Sequence, residues 1–204
     1  MKLLGSHGSP YARKARIAML EKNVPCEFVP ARAADPGSLV PQYNPLSKVP
    51  VLVLDNNKGM IDSSVIVEYF DGIGSGAKLI PTEFNARIAV REWEALGDGI
   101  VDSVVALTHD SRYSETCDTS AAWYQKQLKK IEGGLAKAQA DIGSNAFCHG
   151  NALSLGDICI GMALGYLDRA YANYDWRSKY PGLKRYADRL FARASFAATM
   201  PPKA

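Results

Sequence analysis

The chain has 204 residues, 47% of them apolar and 22% charged, enough for one large or two small folded units and too apolar for a disordered chain. Its 24 Lys and Arg against 21 Asp and Glu leave a formal charge of +3, and there is no basic run of five or more, so no nucleic-acid surface stands out. No apolar stretch approaches the roughly 18 residues of a bilayer span. The first residues carry a lysine without the long apolar region of a signal peptide. Cys26, Cys117, Cys148 and Cys159 form no C-x-x-C pair, which fits neither a zinc site nor a disulfide scaffold. A reduced, cytoplasmic protein with no nucleic-acid, membrane or metal partner is expected.

Lys2–Gly5 predicts a short apolar strand. Ser9-Pro10 then starts a helix, the serine as cap and the proline at the first helical position. Tyr11, Ala15, Ala18 and Met19 follow at helical spacing, with Arg13, Lys14 and Arg16 largely between them. Asn23-Val24-Pro25 stops the helix. Residues 27–30 form a second strand, parallel to the first if the helix is a crossover. Residues 32–44 are polar, with Pro36, Gly37 and Pro41, and predict a loop with at most a short helix. Residues 49–54 are the third strand. Asn56-Asn57-Lys58-Gly59 is a hairpin turn, and Met60-Ile61 begins the return. Asp62-Ser63-Ser64 opens another helix, with Ile66, Tyr69 and Phe70 on one face.

Beyond the small-residue linker 72–78 the pattern is helical: 84 to about 109, 121–141, 155–171 and 181–193. An α/β unit joined to an all-helical unit is the architecture this supports.

Four features carry a family resemblance. They are Ser9-Pro10-Tyr11 after the first strand, Asn44-Pro45-Leu46-Ser47-Lys48-Val49-Pro50-Val51-Leu52, Asp62-Ser63-Ser64, and Leu153-Ser154-Leu155-Gly156-Asp157-Ile158. Each is weak alone, but together, in this order, the chain resembles the cytosolic glutathione S-transferases of the bacterial thioredoxin-fold type. The resemblance implies an α/β thioredoxin-like N-terminal domain (residues 1–77) that binds glutathione. It also implies an all-α helical-bundle C-terminal domain (residues 84–204) for the acceptor substrate. The activity implied is conjugation of glutathione, as co-substrate, to an electrophilic small molecule in detoxification. Two other activities are weighed: a glutathione-fold binding or regulatory protein with little turnover, and a glutathione-dependent peroxidase. A homodimer is implied as well.

At a helix N-terminus, unpaired amides and the helix dipole stabilise a thiolate, which makes Ser9 either a plain N-cap or the donor to the glutathione sulfur. Ser6 is a rival for that role, and His7 lies in the same loop. Val49-Pro50 is either an edge-strand proline or, as the resemblance implies, a cis pair whose main chain meets the cysteinyl part of glutathione. Asp62 and Ser63 either cap a helix or hold the γ-glutamyl carboxylate and ammonium. Many members of the resembled family have Glu or Gln where this chain has Asp62. Lys48, with Arg32 a weaker choice, meets the glycyl carboxylate, fixes its loop or is simply solvated. Ser154 and Asp157 form a structural capping box, with Leu153 and Ile158 as its apolar staple. Glu94, Asp98 and Asp102 make an acidic ridge. The resemblance lets Asp98 or Asp102 reach a partner subunit's glutathione. Tyr11, Tyr113 and Tyr166 are acceptor-pocket candidates, with core packing as the plainer account.

Overall fold

The computed structural model describes residues 1–113 and 118–201, and for residues 109–113 the helical backbone alone. The chain divides into two compact units. The first holds Met1–Ile80 and the segment beginning at Arg193; the second begins at Pro81 and runs to Ala192.

Strand β1 (Lys2–Gly5) leads through Ser9 into helix α1 (Pro10–Glu21), and strand β2 (Glu27–Pro30) returns parallel to β1. Helix α2 (Val40–Tyr43), strands β3 (Val51–Val53) and β4 (Gly59–Met60) and helix α3 (Ser63–Ile73) complete the first run of elements. The sheet order is β2-β1-β3-β4, with β3 antiparallel to both neighbours. Alternation along the strands sends Leu4, Val51 and Val53 into a cluster with Val40 of α2. Leu3 and Leu52, equally buried, point to the opposite face.

The third strand is shorter than the expected 49–54. Its ladder starts at Val51, because Pro50 has no N–H to donate. The return strand is Gly59–Met60 rather than Met60-Ile61. Gly5 is required by packing: a Cβ there would lie 2.8 Å from the Ala12 Cβ, so only glycine lets α1 approach the end of β1.

The basic residues of α1 are buried, although its apolar spacing would place them on an outer face. Arg13 and Lys14 are 1% and 0% exposed. The reason is a second cover: the expected helix 181–193 ends early, and the chain restarts as α9 (Ala194–Ala198), which packs on α1. Arg13 donates to the Phe196 carbonyl at 3.3 Å, and Arg16 lies 4.3 Å over the Phe28 ring. Lys14 donates instead to Ser64 Oγ of α3 at 3.0 Å. At the end of α1, Glu21 accepts from both Arg193 and Ser195.

The second unit contains α4 (Phe84–Tyr113), α5 (Ala122–Ile142), α6 (Leu155–Ala170), α7 (Trp176–Lys179) and α8 (Pro181–Phe191). Helix α6 is buried around its whole circumference through Leu167, as its nearly continuous apolar sequence requires. Helix α4 packs against both α5 and α6. At the α4–α6 crossing, a Cβ on Gly97 would lie 2.7 Å from the Cys159 carbonyl carbon. Gly97→Ala normally gains about 1 kcal/mol of helix propensity. Here it is expected to lose about 1–3 kcal/mol, because backbone atoms must move. Urea unfolding followed by circular dichroism checks the sign. Among the described residues, no helix is long and apolar enough to cross a membrane.

Candidate functional site

The sheet register assembles the site. Leu4 pairs with Val51 and Leu52 with Met60. Strand β1 runs one residue past the first pair to Gly5, Pro50 immediately precedes β3, and Asp62 follows β4 by two residues. The end of β1, the start of β3 and the segment leading into α3 therefore lie toward one edge of the sheet. Helices α1 and α3 both open from that edge, so their N-terminal dipole ends and amides gather there.

Ser9 is the N-cap of α1, with extended backbone (φ −77°, ψ 125°), and its Oγ accepts from the Ala12 N–H at 3.2 Å. A hydroxyl has one proton to give and two lone pairs. Capping uses a lone pair and leaves the proton, so the two roles weighed for Ser9 are compatible. Ser6 is half-buried beside it, and its carbonyl accepts from the Ser9 N–H at 3.2 Å. His7 is exposed and sets its ring edge-on to Phe28, 5.1 Å between centroids.

The Val49-Pro50 peptide is cis. Both residues precede the ladder, so the Val49 main chain lies outside the sheet pairing. The loop before them is fixed by Asn44, which sequence reasoning did not single out. Its buried side chain donates to the Lys48 carbonyl at 2.8 Å and accepts from the Leu46 N–H at 3.0 Å. Asn44 thus does the loop-fixing weighed for Lys48, whose own side chain is exposed, as is Arg32. An Asn followed by Pro-Leu in a turn-rich stretch was the signal that could have found it.

Asp62 is the N-cap of α3. Its Oδ1 accepts from the Ser64 N–H at 2.9 Å and the Val65 N–H at 3.4 Å. Ser63 follows in the first turn of α3 and is 4% exposed.

The other predicted residues lie apart from this edge. Tyr11 is half-buried on α1, and Tyr166 is buried in α6. Tyr113 ends α4, and its side chain is outside the described residues. Glu94 is buried and pairs with Arg91 at 2.6 Å, Asp98 is half-buried, and Asp102 is exposed. The acids do not form one solvated ridge, because four residues advance a helix by about 40° beyond a full turn. Asp157 is 0% exposed. It accepts from Ser154 N and Oγ, Cys148 N and Tyr186 Oη, at 2.6–2.7 Å.

Burial pushes the Cys26 thiol up to about 11. Burial, with Asp157 alongside, raises Cys148 further. Neither of these two is a thiolate at neutral pH.

Comparison with known proteins shows the family of the chain. Residues 3–77 match the glutathione S-transferase N-terminal domain, and residues 121–189 match the C-terminal domain. The chain is 34% identical over 205 residues to the uncharacterised GST-like protein YibF of Escherichia coli (strain K12), covering 100% of each. It is similar to a glutathione S-transferase structure from Methylobacillus flagellatus with GSH bound. That match has 43% identity and a TM-score of 0.94, and covers 98% of this chain and 99% of that one. A second similar structure, from Methylobacterium radiotolerans in complex with glutathione sulfonate, has 39% identity and a TM-score of 0.91, covering 100% and 95%. With its thioredoxin-like sheet, its helical second unit and these relatives, the chain belongs to the glutathione S-transferase family.

Proposed function

We propose that the chain is a glutathione transferase that conjugates glutathione to an electrophilic small molecule. The observation that supports this is the antiparallel pairing of β3 with β1 and β4, which brings the end of β1, the cis Val49-Pro50 pair and the start of α3 toward one edge where two helices open. Glutathione lies extended along that edge. The Val49 main chain pairs with its cysteinyl unit, and Ser63 holds the γ-glutamyl carboxylate. Asp62 faces the ammonium, and Lys48 the glycyl end. The GSH and glutathione sulfonate in the two similar structures support this choice of ligand.

The Ser9 hydroxyl donates to the sulfur, and the α1 N-terminus favours its negative charge. The thiol proton leaves to solvent on binding. The thiolate then attacks the electrophilic carbon, and the leaving group departs with its electron pair. The protein works as a cytoplasmic homodimer, with Asp98 or Asp102 of the second copy reaching the ammonium.

The test is Ser9→Ala with a chlorodinitrobenzene-type acceptor. The rate constant kcat is expected to fall about 10- to 100-fold while the glutathione Kd stays within about twofold. The pH midpoint of turnover should rise, because the donor that stabilised the thiolate is gone. Unchanged turnover moves the role to Ser6 or to backbone amides. Retention on glutathione-agarose without turnover by the unaltered chain favours a binding protein instead.

A further inference from the structure

We infer that the buried Arg16 guanidinium is a fixed positive charge beneath the loop between β1 and α1, and that its field helps to hold the bound thiol ionised; this rests on the glutathione reading above. Arg16 is 9% exposed, and two contacts place its side chain. One terminal nitrogen donates to the Ala198 carbonyl of α9 at 3.4 Å, and the guanidinium carbon lies 4.3 Å from the centre of the Phe28 ring. The other terminal nitrogen is buried without a hydrogen-bond partner. Neither contact supplies a negative charge. Burial lowers the guanidinium from its ordinary value, with no carboxylate to raise it. A guanidinium nevertheless stays protonated across the working pH range.

Phe28 fixes where that charge sits. Its ring meets the His7 ring edge-on at 5.1 Å, and a Cβ on Gly5 would lie 3.3 Å from its Cε2. Phe28 therefore lies under the segment that runs from the end of β1 toward Ser9. Arg16 follows Ser9 by seven residues, about 10 Å of helix rise, and helical side chains lean toward the N-terminus. A unit charge about 10 Å from a thiol, at an effective dielectric of about 20, shifts its ionisation by about one pH unit. The charged groups around Arg16 do not cancel this field. Arg13 and Lys14, its neighbours on α1, are cations as well. Glu21, at the far end of α1, is paired with Arg193 of the segment that carries α9. Glu27 of β2 is exposed and alternates with Phe28, so it stands on the other face of the sheet. A positive charge favours the thiolate, so the S–H bond gives its proton to water at lower pH and the electron pair stays on sulfur.

The experiment follows the ultraviolet absorbance of the bound glutathione thiolate against pH. Calorimetry gives the Kd of S-methylglutathione, which has no thiol to ionise. Arg16→Gln keeps a donor for Ala198 without the charge, and Arg16→Met keeps neither. Each is expected to raise the midpoint of the bound thiol by about one pH unit and to leave the S-methylglutathione Kd within about twofold. Arg16→Lys, which keeps the charge, should hold the midpoint near that of the unaltered chain. A midpoint unmoved by loss of the charge, or moved as far by Arg16→Lys as by Arg16→Gln, would overturn the proposal while the glutathione reading stands. Should neither neutral variant fold, Ser9→Ala carries the test. Its bound thiol is expected to stay about one unit below that of free glutathione, and a return to the free value would overturn the proposal. If the unaltered chain binds neither glutathione nor S-methylglutathione, the glutathione reading fails as well.

Discussion

Asp157→Ala is expected to destabilise the helical unit by about 3–5 kcal/mol, close to the whole stability of a marginal domain. The side chain is fully buried and accepts four hydrogen bonds, from Ser154 N, Ser154 Oγ, Cys148 N and Tyr186 Oη. Removing it leaves Ser154 N, Ser154 Oγ and Cys148 N without this acceptor and Tyr186 Oη with only the weak Cys148 Sγ at 3.1 Å, and each buried unsatisfied group costs about 1–3 kcal/mol. Partial relaxation and entering water bring the sum down to the range given. A capping box alone is worth only about 0.5–2 kcal/mol. The excess comes from Cys148 and Tyr186, which lie outside the cap and tie the start of α6 to the preceding loop and to α8. Tyr186→Phe removes one of the four and should cost only about 1 kcal/mol. Urea unfolding of both variants is the measurement. An Asp157→Ala loss no larger than that of Tyr186→Phe would show that the carboxylate is not the hub.

Lys22→Met is expected to cost the first unit a similar amount, about 3–5 kcal/mol. Lys22 is 0% exposed at the end of α1, 3.2 Å from Asp71 Oδ1, and donates to the Gly76 and Ala77 carbonyls at 3.3 and 2.8 Å. Asp71 also accepts from the Leu79 and Ile80 N–H groups. The pair therefore fastens the end of α1 to α3 and to the segment that follows it. Methionine matches the volume but abandons a buried carboxylate and two carbonyls. Replacing both charges, in Lys22→Met with Asp71→Leu, should recover part of the loss. A pair lost together costs less than one charge stranded, although Leu79 and Ile80 then lack an acceptor. Thermal unfolding of the two single variants and the double variant checks this. A double variant as damaged as the sum of the singles would deny the coupling.

Much of the chain was legible from local chemistry. Ser9-Pro10 marks the start of α1, because a cap hydroxyl and a proline at the first turn both satisfy helix-end geometry within four residues. Asp62 before Ser63 marks α3 for the same reason, although the carboxylate turned out to cap its own helix. The hairpin at Asn56–Gly59 and the box of Ser154 and Asp157 are equally local. What failed locally were ends and faces. Residues 192–193 sit inside a helical pattern, but the chain breaks there, since α9 is held by α1 rather than by its own period.

The sequence by itself determined where helices and strands begin and which residues carry hydroxyls and carboxylates at those starts. Those signals act between residues a few positions apart. Only the tertiary structure decided that the end of β1, the start of β3 and the approach to α3 come to one edge, because register is set by pairing between strands far apart in the chain. It also decided the fate of the charges. Lys14 meets Ser64 across 50 positions and Arg13 meets Phe196 across 183, and Lys22 is buried against Asp71. A basic residue reads as solvated in any short window. It is buried only when distant elements close over it and supply oxygen atoms for its protons.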